Sequence, residues 1–176
     1  MCSVSSNKTI KVRRAEPKDI VNIAKLLKGG WRQQTLQFAP IDDACGYRWI
    51  LSILEQGFVV VADLNGRIVG TASAEPYRPN WSRKWLMDMS FLYVLPSFRR
   101  DGIAEKLIQA VTNFADKHGA GLTFGIETMD KPLIKDRLLK IAGWTYAGGN
   151  FLRPPKEDGR KQDNNRNEHD AAEPAT

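Results

Sequence analysis

The segment from Leu92 to Ala104, Leu-Tyr-Val-Leu-Pro-Ser-Phe-Arg-Arg-Asp-Gly-Ile-Ala, constrains this chain more than any other. It reads as a strand that stops at Pro96, a short turn, and a glycine-containing loop that opens directly into a helix. From Ile103 onward the apolar residues Ile103, Ala104, Leu107, Ile108, Val111, Phe114 and Ala115 mark one face of a 3.6-residue period. A junction of this kind leaves the first N–H groups of the helix pointing into the loop, at the positive end of the helix dipole. Gly102 allows close approach to the main chain, Ala104 keeps the next turn open, and Arg99 and Arg100 add positive charge. The guest expected there is a phosphate or pyrophosphate. A Gly-x-Gly-x-x-Gly string is absent, which argues against a dinucleotide-binding loop.

The rest of the chain supplies an alternation of strands and helices. Thr9 to Arg14 reads as a first strand, and Ala15-Glu16-Pro17-Lys18-Asp19 as a helix start whose buried stripe is Ile20, Ile23, Ala24, Leu26 and Leu27, ended by Gly29-Gly30. Trp31 to Pro40 is read as a loop. A second helix follows from Ile41 to Gln56, carrying Tyr47, Ile50, Leu51 and Leu54. Phe58 to Ala62 and Arg67 to Ala74 form a hairpin about Asn65-Gly66. Trp85 to Val94 is the central strand, Leu122 to Thr128 a fifth, Lys131 to Ala142 a helix, and Trp144 to Leu152 a last strand.

Several of these pieces resemble one family. Arg99-x-x-Gly102-x-Ala104 after Val94-x-Pro96 is similar to motif A of the GNAT N-acetyltransferases. The opening strand with Arg-x-Ala-x-x-x-Asp, the Val-x-Asp-x-x-Gly-x-Ile-Val-Gly hairpin and the Ala-Gly-Trp turn at Gly143 resemble further parts of it. The resemblance covers about residues 9–153. It implies an α/β GNAT fold, with a mixed, mostly antiparallel sheet of about six strands flanked by helices. It also implies acetyl-CoA as cosubstrate and direct attack by an amine in a ternary complex, on the pattern of enzymes met in bacteria and phages. The rival implication is a GNAT-fold protein that binds acyl-CoA without catalysis and serves in assembly. Residues 1–8 read as a flexible tail, and the polar stretch 154–176 as a disordered one.

Composition narrows the partners. Of the formal charge of +6, the residues from Pro154 on contribute four basic and six acidic groups, so the body carries +8, which suits an anionic cofactor. Its Lys and Arg are scattered, which argues against nucleic acid. No apolar run approaches the ~20 residues of a membrane span. Cys2 and Cys45 show no metal or disulfide spacing, which points to a reducing, cytoplasmic setting. Monomer and homodimer remain open.

Acetyl transfer needs a base, a polarised thioester carbonyl and a proton for the leaving thiolate. By resemblance, the main chain of Leu92, Tyr93 and Val94 holds the cofactor arm, and Arg99, Arg100, Asp101, Gly102, Ile103 and Ala104 its pyrophosphate. Strand alternation groups Asp88 with Ser90, Leu92 and Val94. Asp88 lies six residues before Val94, where several family members place a catalytic Glu. It is read either as general base or as a structural partner of Arg83, Lys84 or an indole N–H. Glu127 is the second candidate, with helix capping as its other role. The family's usual tyrosine acid falls on Leu139. Trp31, Phe38, Tyr77 and Trp81 line the acceptor cleft in this reading, or else pack beneath loops. The acceptor is an amine on a small molecule, a peptide or a protein lysine. Cys45 reads as a small buried residue.

Overall fold

A computed structural model describes residues 9–33, 42–125 and 132–148. Within them, the strands β1 (Ile10–Arg14), β2 (Phe58–Leu64), β3 (Arg67–Tyr77), β4 (Leu86–Val94) and β5 (Gly121–Thr123) form one sheet in sequence order. β1 to β4 are antiparallel and β5 is parallel to β4. The helices are α1 (Ile20–Trp31), α2 (Asp43–Gln56), α3 (Ile103–Lys117) and α4 (Pro132–Ile141). No described helix is long and apolar enough to cross a membrane.

The sheet has a core on each face. On one, α3 buries Ile103, Leu107, Ile108, Val111 and Ala115 against Val60, Ala62, Val69, Ala72, Ala74, Met87, Met89 and Val94. On the other, Ile23, Ala24, Leu26 and Leu27 of α1 and Ile50 and Ile53 of α2 meet Val59, Val61, Ile68, Phe91 and Tyr93. The β2–β3 turn takes the left-handed conformation at Asn65 (φ 52°) and Gly66 (φ 87°), which an Asn-Gly pair adopts at little cost. Asp63 Oδ1 accepts from Gly66 N there, at 2.7 Å.

Several expectations need correction. The Gly29-Gly30 pair does not end α1, which continues to Trp31. Its role is close packing. A Cβ on Gly29 would lie 2.8 Å from the Tyr93 hydroxyl, and one on Gly30 would lie 3.0 Å from the Phe91 ring. Tyr47 and Leu51 are exposed on α2 while Ile53 is buried. Cys45 is exposed as well, in the first turn of α2, where Arg48 Nη2 donates to its sulfur at 3.1 Å. Trp144 to Gly148 form no strand, so the sheet has five strands among the described residues. Residues 1–8, Phe38, Glu127 and the segment 154–176 lie outside the described residues.

Candidate active site at the split between β4 and β5

β4 departs from simple alternation. Ser73 pairs with Phe91 and Glu75 with Asp88, so β4 uses three residues where β3 uses two. The extra residue is a β-bulge, which bends the strand and switches its faces. Met87 and Met89 therefore lie on the α3 side with Val94, whereas Phe91 and Tyr93 lie on the α1/α2 side. This overturns the expected grouping of Asp88 with Leu92 and Val94. Asp88 stands between two methionines of the α3 core, so it faces α1 and α2.

The described pairing with β5 also stops at this bend. β5 pairs with β4 only at Leu86, Met87 and Asp88, and beyond Asp88 no described strand follows on that side. The Leu95 N–H donates to Val69 O at 3.0 Å, so the Val94 carbonyl of the same peptide points away from β3. Arg99 Nε donates to it there at 3.1 Å. By alternation, the N–H groups of Leu92 and Val94 also face the split, whereas those of Tyr93 face β3. Two main-chain donors thus lie on a stretch of the β4 edge that no described strand covers.

At the end of that stretch, Pro96–Phe98 make a single 3-10 turn and Gly102 caps α3 in the left-handed conformation (φ 66°, ψ 20°). A Cβ built there would meet nothing within 4 Å. Helix pairing begins with Lys106 N to Gly102 O, so the N–H groups of Ile103, Ala104 and Glu105 precede the ladder. The Ile103 side chain is fully buried and fixes the helix start. Free space over a left-handed glycine, N–H groups and the helix dipole together fit a pyrophosphate. Arg99 is engaged elsewhere: Nη2 donates to Gln33 Oε1 at 2.7 Å, and the guanidinium lies 5.5 Å from the Tyr93 ring centre. Its side chain ties the loop before α3 to the residues just after α1. Arg100 and Asp101 are exposed beside it.

Across the bulge, two carboxylates face each other on neighbouring strands. Asp88 Oδ1 accepts from Thr123 Oγ1 at 2.8 Å, and Glu75 Oε1 accepts from Trp49 Nε1 at 3.1 Å. Ser73 and Ser90 hydroxyls lie 3.2 Å apart just beyond them. Among the described residues, neither Arg83, Lys84 nor an indole bonds to Asp88; its partner is a threonine hydroxyl. Among them, each bond leaves the second oxygen of its carboxylate available. Glu75, Trp49 and Thr123 escaped the sequence reading. Their signal was the β3–β4 pairing, which sets Glu75 opposite Asp88 once the bulge is allowed for.

The aromatic candidates separate. Trp31 packs on Gly46, whose Cβ would come within 3.0 Å of the ring, and tilts against Trp49 with centres 6.3 Å apart. Tyr77 ends β3, and Trp81, 88% exposed, stands in the β3–β4 loop. Leu139 packs on the α3-side core. No group of three metal-ligating side chains occurs among the described residues.

The acetyltransferase (GNAT) family model matches residues 21–134. The chain belongs to the GNAT acetyltransferase family. A curated relative, an uncharacterized N-acetyltransferase of Archaeoglobus fulgidus, is 29% identical over 112 residues, 60% of this chain and 74% of that one. Among solved structures, an aminoglycoside N-acetyltransferase in complex with CoA aligns with a TM-score of 0.68 at 19% identity, covering 87% of this chain and 99% of the other. A predicted acetyltransferase with acetyl-CoA from Clostridium acetobutylicum aligns with a TM-score of 0.67 at 19% identity, covering 84% and 96%. These structural likenesses bear on the GNAT fold, and the five-stranded, mostly antiparallel sheet flanked by helices agrees with them.

Proposed function

We propose that this GNAT protein transfers an acetyl group from acetyl-CoA to a primary amine by direct attack within a ternary complex. The observation that carries the reading is the split after Asp88, lined by the N–H groups of Leu92 and Val94 and closed by the left-handed Gly102 at the start of α3. The loop 99–104 holds the pyrophosphate through its main chain, and the β4 edge holds the cofactor arm. Donors aimed at the thioester oxygen stabilise the charge that develops there. Asp88 takes a proton from the acceptor ammonium, directly or through a water. The freed amine forms the new C–N bond, the C–S bond breaks, the nitrogen gives up its remaining extra proton to solvent, and the thiolate takes one from solvent, because α4 offers Leu139 where the family's usual tyrosine stands. Glu127 is the alternative base, and Tyr77 and Trp81 flank the acceptor entrance.

Leu139 also favours a second reading, a GNAT protein that binds acyl-CoA without turnover. Thiol release from acetyl-CoA in the presence of a panel of amines separates the two. Gly102→Glu tests the shared cofactor site, since its side chain would enter the space over Gly102 and place a like charge against the pyrophosphate. It is expected to abolish calorimetric binding of CoA, while Gly102→Ala retains binding and loses about 1 kcal/mol of stability from the left-handed backbone. Unchanged affinity in the Glu variant would remove the pyrophosphate from this loop.

A further inference from the structure

Two carboxylates on the β3–β4 ladder are followed, where the ladder ends, by a cationic loop. The Tyr77–Leu86 pair closes the β3–β4 ladder, two residues beyond the Glu75–Asp88 pair. Between these strand ends runs Arg78-Pro-Asn-Trp-Ser-Arg-Lys-Trp85, with three cations and no acid from Pro76 to Met87. Arg78, Trp81, Arg83, Lys84 and Trp85 are all exposed. The loop is nevertheless built: Ser82 N donates to Pro79 O at 3.0 Å and Lys84 N to Ser82 Oγ at 3.0 Å. Arg78 lies over the Trp85 ring at 5.9 Å. Arg78, Pro79, Asn80, Trp81, Ser82 and Arg83 enclose an open pocket.

Resting on the acetyl-transfer reading above, we propose that the acceptor is a bipolar amine. Its ammonium sits at Glu75 and Asp88, and it carries an anionic group, carboxylate or phosphate, that reaches the cationic loop 78–85. Arg78 follows Glu75 by three positions at the end of β3, so the two charges of the acceptor stand about 10 Å apart at the rise of an extended strand. The exposed indoles of Trp81 and Trp85 supply flat apolar surface between or beside them. A polycationic acceptor meets the opposite situation. Its first ammonium is welcomed by the carboxylates, and its second is set against three positive charges. The loop thus selects against polyamines while the carboxylates select for an amine.

The test uses three probes of equal chain length: 8-aminooctanoate, 1,8-diaminooctane and octylamine, titrated calorimetrically into the full chain saturated with CoA. The amino acid is expected to bind about fivefold more tightly than octylamine, and the diamine about fivefold more weakly, at low ionic strength. The difference should shrink at 0.5 M salt, because a charge is then felt over only a few ångströms. The double variant R83E/K84E, altered only at exposed positions, should reverse the order of amino acid and diamine. Equal binding of the three probes, preference for the diamine, binding of none, or an order unaltered in R83E/K84E would overturn the proposal. Failure of CoA itself to bind is a different result, and it would overturn the acetyl-transfer reading instead.

Discussion

The two faces of the sheet are built from different materials. The α3 face is a closed aliphatic layer of Val, Ala, Leu, Ile and Met in which every residue of the cluster is below a tenth exposed. The α1/α2 face also has an apolar centre, but polar groups surround it: Glu75 with Trp49, Ser73 with Ser90, Asp88 with Thr123, and Arg13 with Asp19 and Asp63. The difference matches the division of labour in the proposed reaction. An aliphatic layer holds α3 rigidly, so its N-terminal N–H groups stay aimed at one spot. In the acetyl-transfer reading proposed above, the polar face supplies the side chains that recognise and deprotonate the acceptor. The bulge in β4 joins the two, because it transfers Phe91 and Tyr93 to the polar side just beyond Asp88, where the described pairing with β5 stops.

If that division holds, substitutions on the polar face change chemistry and those on the aliphatic face change stability. Asp88→Asn is expected to give the largest effect, a loss of turnover of roughly 10²–10⁴-fold, the usual worth of a positioned base. The amide oxygen can still accept from Thr123, so the fold and CoA affinity should persist. Higher pH should partly restore turnover, because more of the acceptor then arrives deprotonated. Normal turnover at neutral pH would make Asp88 structural and turn attention to Glu127.

Leu107→Ala probes the other face. The side chain is fully buried and lies against Gly70, whose Cβ position is 3.2 Å from a Leu107 methyl. Truncation should cost about 3 kcal/mol and lower Tm by about 10 °C. Turnover per folded molecule at 25 °C should stay within about twofold. A large loss of turnover with little loss of Tm would erase the proposed division.

Much of this was legible in the sequence because local rules and tertiary demands agree. The strand, Pro96, Gly102 and the 3.6-residue stripe of α3 all state the same junction, and the Asn65-Gly66 turn states the hairpin. The errors fall where one residue serves a distant partner. Gly29-Gly30 carries the local signal of a helix end, yet Phe91 and Tyr93, some sixty residues away in sequence, need the space of two absent side chains. The faces of β4 were misassigned because a bulge adds one residue without any composition of its own. Glu75 fell just beyond the expected strand end at Ala74, until the pairing set it opposite Asp88.

Gly30→Ala sharpens the comparison at the contact between α1 and β4. Alanine favours the helix intrinsically by about 1 kcal/mol. Its methyl would nevertheless press on the Phe91 ring at 3.0 Å, inside ordinary contact, and overpacking in a filled core costs about 1–3 kcal/mol. The expected net result is destabilisation by about 2 kcal/mol in denaturant unfolding. A gain in stability would mean that the glycine pair ends a helix weakly held on this face.

The smallest effect concerns acid. Asp19 is 3% exposed and accepts from Arg13 Nη1 and Nη2 at 2.7 and 2.9 Å and from Glu16 N at 2.9 Å, which ties β1 to the start of α1. Hydrogen bonding by Arg13 first, then the Glu16 N–H and the charges of Arg13 and Lys18, hold its carboxyl below the ordinary range, against the opposing effect of burial. A carboxyl depressed in the folded state binds its proton more readily when unfolded. Its stabilisation is therefore complete at neutral pH, begins to fade near the unfolded value of about 3.9, and is lost as pH falls through the folded value. Asp19→Asn should cost about 1.5 kcal/mol at pH 7, the lower end for hydrogen bonds to a charged group, since Arg13 is partly open to solvent. The gap between wild type and variant should narrow as pH is lowered from 5 to 2, because the wild-type carboxyl then becomes neutral as well. A gap that stays constant over that range would mean that the geometry of the Arg13 contact, rather than its charge, secures the polar face.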